Sequence, residues 1–152
     1  MSSNYSEHFS KKEFKYIDPE EILLTVLENL RYKTKDSVII TDGARTIQQH
    51  IDIYKKLESQ DNLGGKTWIE AIPWGSKHLP AFGMKLRAVD LKAIKTRDLD
   101  RKVTEYYTGK EIYSLLKEVE SELNVNLGIG VGNFYCHLEV GRERPTNWGY
   151  NY

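Results

Sequence analysis

The chain has 152 residues, of which 39% are hydrophobic and 29% charged, so it can bury one core, and we expect a single domain over residues 1–152. Its 22 basic and 22 acidic side chains balance, which argues against nucleic acid or an anionic membrane as a partner. The lone cysteine, Cys136, excludes an internal disulfide and a multi-cysteine zinc ribbon, so histidine and carboxylate side chains must supply any metal ligands.

The sequence shows no targeting pattern. The first residues lack a basic stretch followed by an apolar core, and no segment reaches the ~20 apolar residues of a membrane-spanning helix. We therefore expect no membrane span, and synthesis in the cytoplasm without an export signal of its own. We also expect a monomer. Any action outside the membrane would then require release by another route.

The first half of the chain predicts two helices, a strand and a long loop. The run Asp18-Pro19-Glu20-Glu21 is typical of a helix start and predicts a helix over about 19–32. Residues 37–41 are rich in β-branched side chains and predict a buried strand. A second helix follows from Thr46, and the apolar residues on one of its faces are Ile47, Ile51, Tyr54 and Leu57. Residues 59–84 are polar and contain glycine and proline, which predicts a loop region.

The second half predicts a strand, a helix and a hairpin. Residues 86–94 alternate weakly and predict a strand that places Asp90 among apolar neighbours. Residues 109–123 have helical apolar spacing, and segments 127–131 and 134–140, joined by a glycine–asparagine turn, predict a β-hairpin. The expected fold is α+β, with a small antiparallel sheet flanked by about three helices.

Three of the polar residues near these strands form a plausible ligand set. His78, His137 and Asp90 together offer two imidazoles and a carboxylate, which leave a zinc ion one open position for water. The three residues are far apart in sequence and lack the H-E-x-x-H spacing. Judged by spacing alone, such residues more often make ordinary hydrogen bonds than bind a metal. For His50, the helical spacing from Ile47 favours a partly buried polar contact over a ligand.

A family resemblance strengthens the metal hypothesis. Ser76-Lys-His78 followed by Ala88-Val-Asp90 resembles the S-x-H and A-x-D pattern of zinc D-alanyl-D-alanine carboxypeptidases, related phage endolysins and hedgehog-like domains, the LAS-type metallopeptidases. Residues 134–141, followed by an arginine and a tryptophan, are similar to that family's last strand, F-x-H-x-D/E-x-G. Residues 38–46 resemble its strand-to-turn segment S-G-Y-R-T. The matches follow the family's order and cover nearly the whole chain.

The resemblance implies a fold, a site and an activity. The fold would be that of hedgehog and D-Ala-D-Ala peptidase domains, with Zn²⁺ on His78, Asp90 and His137. Arg45 would reach the substrate or its developing oxyanion, and Ser76 would support the orientation of His78. The activity would be hydrolysis of an amide bond in the peptidoglycan stem peptide, as in cell-wall peptidases and phage lysins acting after release or from a virion.

The sequence departs from the family pattern in two ways. Eleven residues separate His78 from Asp90, a longer spacer than the family's usual one. Many relatives place an acid or histidine two or three residues before the last ligand as general base, whereas this chain has Phe134 and Tyr135 there. Glu139, on the same strand face as His137, is the candidate for proton transfer or for support of that histidine. A non-catalytic, zinc-stabilised wall-binding or virion structural domain therefore stays open as the alternative, as does the choice between endopeptidase and carboxypeptidase.

Overall fold

A computed structural model describes residues 3–74, 76, 78–79 and 85–149. Within these ranges the chain forms four α-helices, a short 3-10 helix and a mixed sheet of six strands, which confirms the α+β class. In the same ranges, no helix has the length and apolar character needed to cross a membrane.

The elements follow the predicted order. The helices are a 3-10 helix at Lys12–Phe14, α1 at Glu21–Thr34, α2 at Ile47–Ser59, α3 at Trp68–Ala71 and α4 at Gly109–Leu123. The strands are β1 at Val38–Asp42, β2 at Ala88–Arg97, β3 at Val103–Tyr106, β4 at Gly128–Val131, β5 at Cys136–Glu139 and β6 at Thr146–Gly149. Helices α2, α3 and α4 each begin with a threonine capping box, which satisfies N–H groups at the first turn.

Helix α1 begins later than its sequence predicts. Glu20, and not Asp18, is the residue before the first turn, and it makes no side-chain cap. The backbones of Asp18 and Glu20 instead bond to Leu86, with the Leu86 N–H donating to Asp18 and the Glu20 N–H donating to Leu86. These bonds hold the segment extended, so the helix starts only at Glu21.

The predicted loop contains a short helix, α3. Residues 75, 77 and 80–84 of the predicted loop lie outside the described ranges. Two strands were also missed. Strand β3 is short and its middle is polar, and β6 has the polar sequence T-N-W-G, so neither carries an apolar alternation.

The sheet order is β1-β2-β5-β4-β6, and β3 pairs with β2 beside this path. All pairs are antiparallel except β4 with β6, which is parallel. The expectation of a purely antiparallel sheet is therefore wrong, because the chain crosses β5 after the hairpin and returns along β4. The predicted hairpin itself, β4 with β5, is confirmed.

The core lies on one face of the sheet. Helices α1 and α4 pack on each other and on the sheet, and their buried leucine, isoleucine and valine side chains join those of the strands. Because side chains alternate along a strand, Leu91 and Leu138 enter this core while Asp90 and His137 emerge on the opposite face. The sheet thus separates the core from a polar surface, where the candidate site lies.

Candidate metal centre

Strands β2 and β5 bring two of the predicted ligands together. Asp90 and His137 are direct partners in the antiparallel register. Two residues further along the strands, Ala88 is paired with Glu139. Directly opposed residues have Cβ atoms ~4.5–5.5 Å apart, so their side chains meet on the face of the sheet opposite the core. The same alternation places Glu139 on that face beside His137.

His78 reaches the site from the segment that follows α3, and two bonds fix it to the turn after β1. The Arg45 N–H donates to the His78 carbonyl at 2.7 Å, and His78 Nδ1 lies 2.8 Å from the Gly43 carbonyl. Ser76 Oγ accepts a bond from the His78 N–H at 3.3 Å, so Ser76 contacts the backbone of the residue that it was expected to support. His78 is therefore held by backbone contacts on both sides.

The three predicted ligand side chains converge on one point. His78 Nε2 lies 3.1 Å from His137 Nδ1, Asp90 Oδ1 lies 2.9 Å from His137 Nδ1, and Asp90 Oδ1 lies 3.6 Å from His78 Nε2. Both histidines are buried, with 3% and 7% of their surface exposed. This group can hold a metal ion.

The outer hydrogen bonds define which imidazole nitrogens face that point. His78 Nδ1 faces a carbonyl, which can only accept, so it carries the proton and Nε2 keeps its lone pair. His137 Nε2 lies 2.8 Å from Glu139 Oε1, so this nitrogen carries the proton and Nδ1 keeps its lone pair. Two lone pairs and a carboxylate oxygen then point inward, an arrangement that a cation satisfies.

The surroundings of Asp90 favour its ionised form, which is the form that binds cations. Burial raises the pKa of Asp90, but the close contacts with the His137 and His78 imidazoles, which favour its charged form, outweigh burial and hold the pKa far below its ordinary value. Burial lowers the pKa of His137, while its bonds to Asp90 and Glu139 raise it above the ordinary value. A proton on His137 competes with a metal ion for the same lone pair, so metal binding should strengthen as pH rises.

Both oxygens of Glu139 are engaged. Oε1 accepts the bond from His137 Nε2, and Oε2 accepts two from Arg142, at 2.8 Å from Nε and 2.6 Å from the terminal nitrogen. Gly128 makes room for this pair, since a Cβ there would lie 2.6 Å from Arg142 Nε. Of the two roles expected for Glu139, the geometry favours support of His137 over proton transfer.

Two residues outside the predicted site, Trp148 and Arg142, lie beside His137 and Glu139. The Trp148 ring lies 5.4 Å from that of His137, and the Arg142 guanidinium lies 5.4 Å over the Trp148 ring. The resemblance includes both only as the arginine and tryptophan that follow the last strand. A further sequence signal is the alternation of Gly128 and Gly130 on β4, opposite Glu139 and His137. Alternating glycines leave one strand face without side chains, and bulky neighbours can fill that space.

Arg45 also lies at the site. Asp42 Oδ2 accepts two of its hydrogen bonds, at 3.0 Å from Nε and 2.8 Å from the terminal nitrogen, and its other terminal nitrogen lies 3.3 Å from His50 Nδ1. The sequence predicted only a partly buried His50, whereas the residue is completely buried. No sequence pattern linked Asp42 or His50 to Arg45.

A cleft of about 320 Å³ opens beside the three ligand side chains. Helix α2 contributes an apolar wall to it, and the described lining residues are Arg45, Ile53, Tyr54, Leu57, Ser76, His78, Asp90, Tyr135, His137, Glu139 and Trp148. Ligand sites in proteins commonly combine such apolar walls with a few polar groups. The cleft therefore opens the three metal-ligand side chains to a small molecule.

Replacing Glu139 with alanine should weaken metal binding by about 10–100-fold, because the mutation removes the group that orients His137 and raises its basicity. Chelator competition with Zn²⁺ measures the change. Glu143→Ala, an exposed acid four residues along, is the matched control and should leave the affinity unchanged. Equal affinities in the two variants would contradict the role of Glu139.

Compared with protein-family models, curated proteins and solved structures, the chain gives no match.

Proposed function

We propose that the protein is a zinc-dependent peptidase that hydrolyses an amide bond in the stem peptide of bacterial peptidoglycan. The observation that carries the proposal is the convergence of His78 Nε2, His137 Nδ1 and Asp90 Oδ1 beside an open cleft that also holds Arg45. The peptidoglycan substrate follows from the resemblance of the sequence to D-Ala-D-Ala carboxypeptidases and phage endolysins. On this proposal the protein acts on the cell wall after release or as a virion component.

The ligand atoms fit the size and chemistry of zinc. A tetrahedral ion with bonds of ~2.0–2.1 Å separates its ligand atoms by about 3.3 Å. The three observed separations, 3.1, 2.9 and 3.6 Å, bracket that value. Zinc held by His78, Asp90 and His137 would polarise a substrate carbonyl or activate a water molecule, and these three ligands would leave one position open for that group.

Arg45 is suited to the charge that develops during amide hydrolysis. A guanidinium has five N–H groups, and Asp42 and His50 take three of them among the described contacts. The others can bind a substrate carboxylate or the oxygen of a tetrahedral intermediate. Because Asp42 and His50 fix the guanidinium plane in advance, little reorganisation is needed when that charge appears.

The general base of the resembled family has no counterpart at the same positions of this chain, which has Phe134 and Tyr135 there. Among the described lining residues the carboxylates are Asp90 and Glu139, and both are engaged with His137. Burial and the nearby charge of Asp90 raise the pKa of Tyr135, so its hydroxyl stays protonated at neutral pH. Tyr135 can therefore donate a proton or a hydrogen bond to the reacting group, but it is a poor base.

This shortage of a free carboxylate favours one alternative, a non-catalytic domain in which zinc stabilises a wall-binding or virion structural unit. In that case the same three ligands hold the metal and Arg45 binds an anionic group without hydrolysis. The two functions predict the same metal content and differ only in cleavage.

Zymography on purified peptidoglycan separates the two functions. The wild type should clear the wall, His137→Ala should not, and Arg45→Ala should retain zinc while losing about 10²–10³-fold in rate, as for removal of an oxyanion donor. Ser114→Ala, an exposed change on α4, is the control. Full zinc content without cleavage of any wall preparation would support the non-catalytic alternative instead.

A further inference from the structure

Helix α2 is attached to the rest of the protein in an unusual way. His50 is its only buried side chain, and the apolar face that the sequence predicts for this helix is partly exposed, with Ile47 62% exposed. Three side chains of this helix, Ile53, Tyr54 and Leu57, instead line the cleft. The position of the cleft wall therefore depends on how His50 is held.

His50 makes two directional bonds, one on each side of its ring. Nε2 lies 2.9 Å from the Pro73 carbonyl, which can only accept, so Nε2 carries the proton. Nδ1 then keeps its lone pair and accepts the bond from Arg45 at 3.3 Å. Only this one neutral form of the imidazole satisfies both neighbours. Tyr54 and Trp74 pack against the ring at 5.3 and 6.1 Å and fix its plane.

The two bonds join parts of the site that are distant in sequence. Arg45 stands at the start of α2, and Pro73 lies five residues before His78, on the segment that delivers this ligand side chain. The same two segments are joined a second time where the Arg45 N–H meets the His78 carbonyl. His50 thus links the guanidinium, the cleft wall and the His78 segment.

We infer that His50 is a positioning residue. It fixes the position of the Arg45 guanidinium, and of the cleft wall formed by α2, relative to the metal-ligand side chains. The expected effect of His50 on hydrolysis rests on the proposed function. Its effect on the position of Arg45 does not. In the described contacts His50 touches no ligand side chain and is not itself a lining residue of the cleft. Of the lining residues it packs on Tyr54 and is hydrogen-bonded to Arg45, so its effect on hydrolysis passes mainly through the Arg45 guanidinium.

The first test needs no activity. Long-range ¹⁵N–¹H spectra of the zinc-loaded protein should show His50 neutral with the proton on Nε2. The signal of the Arg45 Nη1 hydrogens, which donate to His50 Nδ1, should be slowly exchanging in the wild type and in His50→Gln, whose amide can donate to Pro73 and accept from Arg45. In the His50→Phe variant, which keeps an aromatic ring but has no hydrogen-bonding atoms, that signal should shift and exchange at least about 10-fold faster. A proton on Nδ1, or an unchanged Arg45 signal in His50→Phe, would overturn the inference.

The second test is a double-mutant cycle in the peptidoglycan assay. His50→Phe should lower kcat/KM by about 10–100-fold in the wild type and by less than about 3-fold when Arg45 is already alanine, because the two residues act as a unit. His50→Gln should stay within about 3-fold of the wild type. Equal losses in both backgrounds would indicate a merely structural residue and would overturn the inference.

The two tests separate this inference from the proposed function. Absence of hydrolysis in the wild type, together with the expected His50 and Arg45 spectra, would refute the peptidase and leave His50 as the residue that positions Arg45. Should His50→Phe fail to fold, the tautomer of the wild type and the spectra of His50→Gln still decide the matter.

Discussion

Replacing Asp90 with alanine should abolish both zinc binding and hydrolysis. Asp90 is the only charged group among the three ligand side chains, and its loss leaves two neutral imidazoles for a divalent cation. The expected fall in affinity exceeds the ~10–100-fold cost of losing an outer partner such as Glu139. Metal analysis after dialysis against a weak chelator, run beside the hydrolysis assay, measures both effects.

Asp100→Ala is the matched control for this substitution, because Asp100 is an exposed acid beyond the end of β2. It should keep one zinc per chain and full activity. Retention of zinc by the Asp90 variant would show that the carboxylate is not a ligand, and retained hydrolysis without zinc would remove the metal from the mechanism.

Gly109→Ala should destabilise the protein by more than about 3 kcal/mol. At an open helix start this change usually stabilises by up to ~1 kcal/mol. Here a Cβ would lie 1.9 Å from the Gly132 carbonyl oxygen and 2.8 Å from that of Tyr135, and both are backbone atoms. The Gly109 N–H also donates to Asn133 at 2.7 Å, so α4 and the β4–β5 turn meet too closely for a side chain. Thermal unfolding should show Tm lower by more than about 6 °C.

Gly43→Ala provides the comparison, because a Cβ there meets no atom nearer than 3.4 Å, an ordinary contact distance. Its Tm should change little. A Gly109→Ala variant as stable as the wild type would mean that α4 is not packed on the turn as described. Because that turn leads into β5, loss of packing should also weaken metal binding by His137.

The regular elements were predictable because their signals are local. Helix α4 has the predicted bounds, since Thr108 and Glu111 form a capping box and the apolar residues keep helical spacing. Strand β6 was not predictable, because what holds T-N-W-G in the sheet is its parallel pairing with β4, a contact between distant segments. The start of α1 failed for the same reason: the bonds to Leu86 override the local preference of Asp18 and Pro19.

The ligand residues were found through a resemblance, and their convergence depends on register. Alternation on β2 and β5 predicts that Asp90 and His137 each face away from the core, but only the pairing of Asp90 with His137 makes them neighbours. The sequence predicted an apolar face on α2 but gave no sign that Tyr54 and Leu57 of this face line a cleft. His50, by contrast, is a polar residue at a core position, and its partners at Arg45 and Pro73 are visible only in three dimensions.

The most direct test of the metal centre is the zinc content and coordination of the native protein, measured by metal analysis and X-ray absorption at the zinc edge. The expected result is one zinc per chain with two imidazole nitrogens and a carboxylate oxygen at ~2.0–2.1 Å. A protein that stays metal-free in the presence of zinc, or one whose zinc has sulfur or a single imidazole as ligand, would contradict the account.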